Sequence, residues 1–578
     1  MSDTSELSKN EAVKAASRGL RGTLAEELAD GTPSFSHDST VLLKFHGTYQ
    51  QDDRDVRSER KRARLDVEHI CMVRAGIPGG ALSGDQYLAL DDLAGRLGNS
   101  TMRVTTRQGI QFHFVHKGEL AELIGALNGS LVTTLGACGD VVRNVCSCPA
   151  PLADREAVGV AQLAKDLHRR TRPRTTAYYQ LWVDGDLAVS ASPPEELDEP
   201  LYGPTYLPRK FKISIAWPGD NCIDAYSQDF AAVPEVVDGA VTGYTVLVGG
   251  GLGKSHTDPT TYPRLASPLA FVAPEELAEV VEAVVIVQRD NGNRADRDHA
   301  RLKYLIDRWG LDRFREAVES QLGRRLEPPR ELVWESEDDH LGWHPSGDGT
   351  WFLGVHVPSG RIKDTDGPRY RSGLRAVVEQ VGADVRLTAR QDVLLTGIAD
   401  GDRPRVEGLL RDAGIPLAED VPELERSALA CPALPTCGLA LGEAERVLPD
   451  VLAALHGALD AAGVGDVAPH VRMTGCPNGC ARPYTAELGI VGRGKTSYDI
   501  HVGGDPAGTR MNEVFAENVP RDQLGPVLQP LLEHYREARE PDESLGDFAA
   551  REGVASLRQR FGNESFVRPA RGRKAATG

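Results

Sequence analysis

The sequence lacks long apolar runs, both near its amino terminus and along the rest of the chain. The longest runs, such as Val280 to Val287, are short, and Glu282 interrupts that one. A membrane-spanning helix needs about 20 consecutive apolar residues, and a secretory signal needs an apolar core of about 7–15 residues. We therefore expect neither a membrane span nor a secretory signal, and the pattern predicts a cytoplasmic protein.

Basic charge and aromatic side chains are also scarce. The 578 residues include 66 Lys and Arg against 84 Asp and Glu, which gives a formal net charge of −18, and 6% of the residues are aromatic. Nucleic-acid binding usually requires a basic face, and binding of single strands also uses aromatic stacking platforms. The composition therefore disfavours an RNA-binding protein. The length allows about three to five globular domains.

An internal repeat organises the chain. Three pairs of motifs recur in the same order and at nearly the same separation: IPGG (77–80) with VPSG (357–360), RVTTRQ (103–108) with RLTARQ (386–391), and RNVCSCPA (143–150) with RSALACPA (426–433). This pattern predicts two copies of one module, with a division near residue 335. Strand-like runs interrupted by helix-like runs indicate that each copy is an α+β module.

Four cysteines in the second half form the strongest candidate metal site. Cys431 and Cys437 have the spacing C-x5-C, and Cys476 and Cys480 have the spacing C-x3-C. Four thiolates can hold either an iron–sulfur cluster or a tetrahedral zinc ion. Zinc sites usually use C-x2-C pairs, so the looser spacing favours a cluster. A zinc site and a set of buried free thiols remain alternatives at this stage.

The other cysteines do not form a second set of this kind. Cys148 occupies the repeat position of Cys431, but the region 190–200, where counterparts of Cys476 and Cys480 are expected, contains no cysteine. The first copy therefore cannot build the same four-thiolate site. We expect structural or core positions for the five remaining cysteines, which are Cys71, Cys138, Cys146, Cys148 and Cys222.

Basic side chains recur within strand-like, apolar surroundings. They are Arg74, Arg103, Arg107, Arg143, Arg209, Lys210, Lys212, Arg386 and Arg390. Salt bridges and solvated faces would explain any one of them. Because Lys and Arg are rarely buried without a partner, the whole set instead indicates an anionic ligand. Guanidinium groups bind carboxylates through two parallel hydrogen bonds, so a macrocycle rich in carboxylates would suit this set.

Several motifs together resemble those of the sulfite and nitrite reductase haem proteins. They are KFHGTYQQDDRD (44–55), TRQGIQFH (106–113), TYLPRKFK (205–212), QRDNGNRADRDHARLKY (288–304), ACPALPTCGLALGEAER (430–446) and TGCPNGCARPYTAELGIVG (474–492). The resemblance covers nearly the whole chain. It implies a pseudo-twofold α+β architecture, in which two ferredoxin-like half-domains accompany two larger α+β domains that enclose siroheme.

The repeat and the resemblance together predict five segments. They are an N-terminal arm for partner docking (1–60), a first ferredoxin-like half-domain (61–140), a first siroheme-enclosing domain (141–335), a second ferredoxin-like half-domain (336–415), and a domain holding the 4Fe-4S cluster and siroheme (416–578).

The resemblance also implies cofactors and roles for individual residues. Cys431, Cys437 and Cys476 would hold a 4Fe-4S cluster, and Cys480 would bind both this cluster and the siroheme iron. Substrate-binding residues of the family correspond to Arg74, Arg143, Lys210 and Lys212. Positions that line siroheme correspond to Arg103, Arg107, Gln111, His113 and Asn478.

The implied reaction is the six-electron reduction of sulfite to sulfide in sulfur assimilation and cysteine biosynthesis. The N-terminal motif resembles the group that takes electrons from a flavoprotein subunit oxidising NADPH, and no nucleotide-binding module is evident in this chain. The alternative within enzymes is ferredoxin-dependent reduction of sulfite or nitrite. A zinc-stabilised interaction protein is the alternative from another class.

Overall fold

The structure, a computed structural model, describes residues 7–175, 180–183, 186–190 and 199–562. The chain divides into an N-terminal unit, formed by the residues up to 252 and by 258–422, and a C-terminal unit, formed by 253–257 and the residues from 423 onward. Each unit has its own apolar core. Core residues of the N-terminal unit run from Leu20 to Leu417, and those of the C-terminal unit run from Leu424 to Leu557.

The strands of the N-terminal unit are β1 (Thr48–Asp52), β2 (His69–Ala75), β3 (Ala81–Leu82), β4 (Met102–Val104), β5 (Ile110–Val115), β6 (Cys146–Ser147), β7 (Gln180–Val183), β8 (Asp186–Ser190), β9 (Ile213–Ile215), β10 (Gly219–Asp220), β11 (Phe230–Val237), β12 (Ala240–Val248), β13 (Ser267–Val272), β14 (Trp334–Ser336), β15 (Gly342–Pro345), β16 (Trp351–Val355), β17 (Arg361–Ile362), β18 (Asp384–Leu387) and β19 (Val393–Ile398). Those of the C-terminal unit are β20 (Leu429–Ala430), β21 (Val471–Thr474), β22 (Leu488–Gly494), β23 (Ser497–Val502) and β24 (Glu513–Pro520).

The helices of the N-terminal unit are α1 (Lys9–Ala16), α2 (Leu24–Ala29), α3 (His37–Leu43), α4 (Arg57–Arg62), α5 (Gly84–Leu97), α6 (Leu120–Gly129), α7 (Ala153–Val158), α8 (Val160–Thr171), α9 (Leu277–Asn291), α10 (Leu302–Trp309), α11 (Leu311–Leu322), α12 (Tyr370–Val381) and α13 (Arg403–Asp412). Those of the C-terminal unit are α14 (Glu423–Arg426), α15 (Leu448–Ala462), α16 (Leu524–Ala538), α17 (Leu545–Glu552) and α18 (Val554–Phe561). None of these described helices combines the length and the apolar character that crossing a membrane requires.

Two five-stranded sheets in the N-terminal unit exchange short strands. One sheet has the order β1-β2-β5-β4-β17, and the other has the order β15-β16-β19-β18-β3. Strand β17 belongs to the second copy but pairs with β4 of the first, while β3 of the first copy pairs with β18 of the second. Each copy therefore completes the sheet of the other, which confirms the predicted pseudo-twofold α+β fold.

The recurring motifs lie where the two copies exchange strands, next to β3 and β17. Gly80 and Gly360 both have positive φ, and a Cβ at either would lie 2.3 Å from Leu387 O or 2.4 Å from Val104 O. Only glycine tolerates both conditions, so IPGG and VPSG each end in glycine. Both TxRQ motifs make the same turn, in which Oγ1 of Thr105 or Thr388 accepts hydrogen bonds from the backbone N–H two and four residues later.

A second pair of sheets repeats one strand order, once in each unit. In the N-terminal unit β6, β9 and β11 are parallel neighbours, and β12 and β13 follow antiparallel. In the C-terminal unit β20, β21 and β22 are parallel neighbours, and β23 and β24 follow antiparallel. The duplication therefore extends to the larger sheets, as the repeat of the cysteine motifs predicted.

The strand registers show which residue of the first copy corresponds to Cys480. Residue Phe230 pairs with Ile213 as Leu488 pairs with Val471. Cys222 stands nine residues after Ile213, as Cys480 stands nine residues after Val471. The expectation that counterparts lie near residues 190–200 was therefore wrong, because the connection from β6 to β9 contains two helices and a hairpin, whereas the connection from β20 to β21 contains one long helix. Pro218 stands at the place of Cys476, so the first copy still lacks a four-thiolate set.

The segment predicted to be an N-terminal arm contributes to the core. Helices α1 to α4 and strand β1 lie within or next to it, and Leu20, Leu24 and Phe45 are buried in the N-terminal unit. Its docking role and the five predicted segment boundaries stay predictions.

Candidate metal centre and anion-binding surface

The four cysteines of the second half lie in loops that follow adjacent parallel strands of the C-terminal unit. Cys431 follows β20 directly, and Cys476 follows β21 after one glycine. Parallel neighbours end at the same edge of a sheet, where loops from open α/β sheets commonly form binding sites. Cys437 is fixed near Cys431 because its backbone N–H donates to Ala433 O at 2.9 Å.

Backbone and amide donors point at two of the sulfur atoms. The N–H of Gly475 donates to Cys431 Sγ at 3.3 Å, and Asn478 Nδ2 donates to Cys476 Sγ at 3.5 Å. A Cβ at position 475 would lie 2.5 Å from Gly442 O, so glycine is required for this close approach. Donors to sulfur stabilise thiolates and tune iron–sulfur clusters.

The thiols lie close enough to influence each other's ionisation. Burial raises the pKa of Cys431 well above its ordinary value, and the neighbouring charges of Cys480, Cys476 and Cys437 raise it further. Burial followed by Cys480 raises the pKa of Cys476 to about 12. Four such groups ionise together only when a metal centre compensates the negative charge. The donor set therefore fits a metal centre, and Cys480 is the exposed member.

A row of basic residues crosses the sheet β1-β2-β5-β4-β17 of the N-terminal unit, which we call the first ferredoxin-like sheet. The cross-strand partners run from Arg74 on β2 through Gln111 on β5 and Arg103 on β4 to Arg361 on β17. Directly paired residues project to the same face of a sheet, so three guanidinium groups share one face. His113, two residues from Gln111, lies on that face too, and neither ring nitrogen has a hydrogen-bond partner within the described chain.

Burial and the charges of Arg361, Arg103 and Arg74 hold the pKa of His113 well below its ordinary value. The imidazole is therefore neutral beside the arginine row. Arg361 was not identified from the sequence, although the VPSG motif directly before it was the available signal. The concentration of positive charge on one face fits a ligand that carries several carboxylates.

The other basic residues assigned to substrate gather nearby in the same unit. Residue Phe211 exchanges backbone hydrogen bonds with Val141 and Arg143, which places Arg143 beside the segment containing Lys210 and Lys212. Lys210 and Lys212 alternate around Phe211 and therefore project to the same side.

Lys210 is held in a strongly cationic environment. Burial lowers the pKa of Lys210 well below its ordinary value, and Arg143, Arg301 and Lys212 lower it further. Among the residues that the structure describes, no carboxylate forms an ion pair with Lys210. A bound anion would offset these neighbouring charges and favour the charged form of Lys210, so this environment suits an anionic ligand.

Tyr49 connects Arg74 to this group. Its hydroxyl hydrogen-bonds with Arg143, and the positive charges of Arg143 and Arg74 both act on it, although burial and Cys138 raise the pKa of Tyr49 overall. Arg74 Nη1 also donates to Cys138 Sγ at 2.9 Å. The structure therefore brings together all four residues predicted to bind substrate, namely Arg74, Arg143, Lys210 and Lys212.

Some basic residues have protein partners instead. Arg107 donates to Gln228 Oε1 at 2.8 Å, to Ile213 O at 3.1 Å and to Asn144 O. Arg386 pairs with Glu156 at 2.8 Å, and Arg390 pairs with Glu337 at 2.9 Å. For Arg386 and Arg390 the salt-bridge alternative is therefore correct, and Arg107 stays a prediction as a siroheme-lining residue.

A duplicated α+β chain that combines four gathered thiols with a separate cationic surface has the features of a metal-dependent redox protein. Comparison with known families is consistent with this class. The model of the nitrite and sulphite reductase 4Fe-4S domain matches residues 138–326, and the model of the nitrite/sulfite reductase ferredoxin-like half domain matches 62–130 and 344–413. The chain belongs to the nitrite and sulfite reductase family.

Individual relatives agree with this family over nearly the whole chain. The "Sulfite reductase [NADPH] hemoprotein beta-component" of Geobacillus kaustophilus is 42% identical, covering 94% of this chain and 95% of that protein. The "Sulfite reductase [ferredoxin]" of Synechococcus elongatus is 43% identical, covering 96% and 91%. The structure of the Mycobacterium tuberculosis NirA protein matches with a TM-score of 0.77 over 95% of this chain and 97% of that chain, at 24% identity, and supports the fold.

Proposed function

We propose that this chain reduces sulfite to sulfide as the haem-protein component of an assimilatory sulfite reductase, with siroheme and a 4Fe-4S cluster as cofactors. The observation that carries this proposal is the set of four cysteines at the ends of β20 and β21, where backbone and amide donors point at sulfur. Cys431, Cys437 and Cys476 would bind the cluster, and Cys480, whose side chain is exposed, would be shared with the haem iron.

The residues on the first ferredoxin-like sheet suit the carboxylates of siroheme. Arg103, together with Arg74 and Arg361 in the same row, offers guanidinium groups on one face, and the neutral His113 adds hydrogen-bonding capacity. Gln111 Oε1 has no hydrogen-bond partner within the described residues. When bound, siroheme and the cluster would supply electrons one at a time to the sulfur of the substrate.

The cationic residues of the N-terminal unit would bind the substrate oxyanion. Reduction of hydrogen sulfite consumes six electrons and six protons and yields hydrosulfide and three water molecules. Arg143, Lys210 and Lys212 would offset the negative charge that accumulates as electrons arrive. Lys210 Nζ would hold a proton while the anion is bound and transfer it to a departing oxygen, because its cationic neighbours weaken its hold on that proton.

The electron donor would be a flavoprotein subunit that oxidises NADPH, and ferredoxin is the second candidate. Relatives at similar identity carry each donor in their names. The cytoplasm would be the site of action, since no disulfide joins the cysteines of the described chain, as expected in a reducing compartment. Docking of the donor would involve the N-terminal segment 1–60.

The test uses the full chain, purified without oxygen, with chemically reduced methyl viologen as a donor that needs no partner protein. We expect sulfide to form from sulfite, and iron, acid-labile sulfide and siroheme to be present. The double variant Lys210→Met and Lys212→Met should keep the cofactor absorption spectrum and lose turnover. Lys165→Met, at an exposed position of α8, is the matched control and should retain activity.

Three results would contradict the proposal. A colourless protein that contains zinc but no iron would support the zinc-stabilised alternative. Full turnover in the double lysine variant would exclude a substrate-binding role for Lys210 and Lys212. A much higher kcat/KM for nitrite than for sulfite would show that nitrite is the preferred substrate. Replacing methyl viologen by the flavoprotein with NADPH or by reduced ferredoxin then separates the two donors.

A further inference from the structure

Four buried side chains come together in the N-terminal unit, outside the cofactor and substrate residues described above. Cys148, Asp220, Cys222 and His340 place one ligand atom each within 4.8 Å of all the others. Each of these residues is at most 4% exposed. Two thiols, a carboxylate and an imidazole at such spacing are the ligand types that zinc prefers.

These residues come from three separate segments of the chain. Cys148 directly follows β6, while Asp220 and Cys222 lie at and just after the end of β10. Strand β10 pairs with β14 in parallel, and this pairing brings the segment after β14, which contains His340, to the same place. The pairing of β10 with β14 therefore brings Asp220 and Cys222 next to the segment that contains His340.

Hydrogen bonds leave one atom of each polar ligand directed at the centre of the group. Asp220 Oδ1 accepts from the backbone N–H of Cys222 at 3.0 Å and of Asp338 at 3.1 Å, whereas Oδ2 accepts no hydrogen bond among the described residues and has an ion-pair contact with Arg155. His340 Nδ1 lies 3.2 Å from Asp338 Oδ2, which leaves Nε2 facing inward. A carboxylate on the outer nitrogen is the usual arrangement around a metal-binding histidine.

The distances match one tetrahedral ion. His340 Nε2 lies 3.4 Å from Asp220 Oδ2 and 3.7 Å from Cys148 Sγ. With ordinary zinc bond lengths and tetrahedral angles, a nitrogen ligand lies about 3.4 Å from an oxygen ligand and about 3.6 Å from a sulfur ligand. These two of the six ligand–ligand distances therefore match the edge lengths of a zinc-sized tetrahedron.

Charge balance also favours a divalent ion. Two thiolates and one carboxylate carry three negative charges in a buried place, which is unfavourable without compensation. Arg155 contributes one positive charge, since its Nη1 lies 3.1 Å from Asp220 Oδ2 and also contacts Cys148 Sγ. An ion of charge +2 brings the total to zero.

The duplication provides an independent argument. Cys148 stands two residues after Cys146 as Cys431 stands two residues after Leu429, and these two strand residues occupy equivalent register positions. Cys222 is the counterpart of Cys480. Two of the four ligands in the first copy therefore stand where the second copy has cysteines of its own metal centre.

We propose that the N-terminal unit holds a structural zinc ion, bound by Cys148 Sγ, Cys222 Sγ, Asp220 Oδ2 and His340 Nε2. All four positions are filled by protein, as in structural rather than catalytic zinc sites. The ion would link the end of β6 to the turn after β10 and to the segment between β14 and β15. This site is distinct from the four cysteines of the C-terminal unit and does not depend on the proposed reaction.

The test measures zinc and iron per chain in the full-length protein as isolated, and zinc K-edge X-ray absorption, which haem and iron–sulfur absorption do not obscure. We expect about one zinc with two sulfur ligands near 2.3 Å and two nitrogen or oxygen ligands near 2.0–2.1 Å. Cys222→Ser should lose the zinc and keep the iron. Cys71→Ser, a buried thiol outside the group, should keep both.

Cys437→Ser distinguishes the two proposed metal centres. It removes a cluster ligand in the C-terminal unit and should therefore lower the iron content while zinc remains. Zinc that disappears in Cys437→Ser but persists in Cys222→Ser would overturn the proposal. So would a spectrum with four sulfur ligands, a protein without zinc after growth in zinc-supplemented medium, or a disulfide between Cys148 and Cys222 in mapped peptides. The wild-type spectrum decides the matter even where a variant does not fold.

Discussion

The charge around Lys210 gives the proposed reaction a specific pH dependence. Burial, followed by its cationic neighbours, lowers the pKa of Lys210 well below the ordinary value of a lysine, so the free enzyme loses this proton at a lower pH than an ordinary lysine does. Oxyanion binding requires the charged form. We therefore predict that kcat/KM for sulfite falls on the alkaline side, at a pH below the usual lysine range, mainly because KM increases.

Arginine at this position keeps its charge throughout the accessible pH range. In Lys210→Arg we expect the alkaline decrease of kcat/KM to move out of range, while kcat is reduced because proton donation is lost. Lys165→Arg, at an exposed site, should leave the profile unchanged. An alkaline decrease that persists unaltered in Lys210→Arg would assign it to another group, including the sulfite itself.

Individual site residues could be predicted from the sequence where a chemical pattern is local. The spacing predicted each of the pairs Cys431/Cys437 and Cys476/Cys480, because close spacing in a loop implies close sulfur atoms, and the parallel pairing of β20 with β21 brings the two pairs together. The partner of Cys148 could not be found in this way. Its three companion ligands come from positions 72 to 192 residues further along, and only the strand registers bring them together.

At the scale of elements, the repeat predicted the duplicated sheets but not their exchange of strands. The TxRQ motifs mark the same turn in each copy, and turn chemistry is encoded locally. Strands β3 and β17 contain two residues each, which is too short for a period-2 pattern. Their pairing with the other copy follows from the three-dimensional arrangement of the two sheets.

A buried ion pair links helices of the two copies. Asp91 on α5 is 1% exposed, and its carboxylate lies 2.6 Å from Arg371 Nε and 2.7 Å from Arg375 Nη1 on α12. Removing a buried charge leaves its partners uncompensated, so we predict that Asp91→Asn destabilises the N-terminal unit by about 3 kcal/mol. Chemical denaturation of the wild type and variant measures this loss.

The adjacent Asp92 is the matched control. It pairs with the same Arg375 at 2.5 Å, but its side chain is 57% exposed, and exposed pairs contribute about 0–1 kcal/mol. Asp92→Asn should therefore have little effect. Equal losses in the two variants would show that burial of Asp91 is not what makes its ion pair important.

At the scale of the whole molecule, two separate cores predict two unfolding transitions. One core consists of residues up to Leu417, and the other begins at Leu424. Cooperative unfolding follows a shared core, and chains with more than one core commonly depart from two-state behaviour. Scanning calorimetry of the full chain should therefore resolve two transitions, with different dependence on the metal centres and ion pairs described above.

Two variants assign these transitions, because each acts on one unit. If Cys437 binds the proposed metal centre of the C-terminal unit, Cys437→Ser weakens that centre, and metal that binds only the folded form stabilises that form. This variant should then lower one transition temperature. Asp91→Asn should lower the other, because both helices it links belong to the N-terminal unit. A single transition whose calorimetric and van't Hoff enthalpies agree, shifted by both variants alike, would instead establish that the two cores unfold as one cooperative unit.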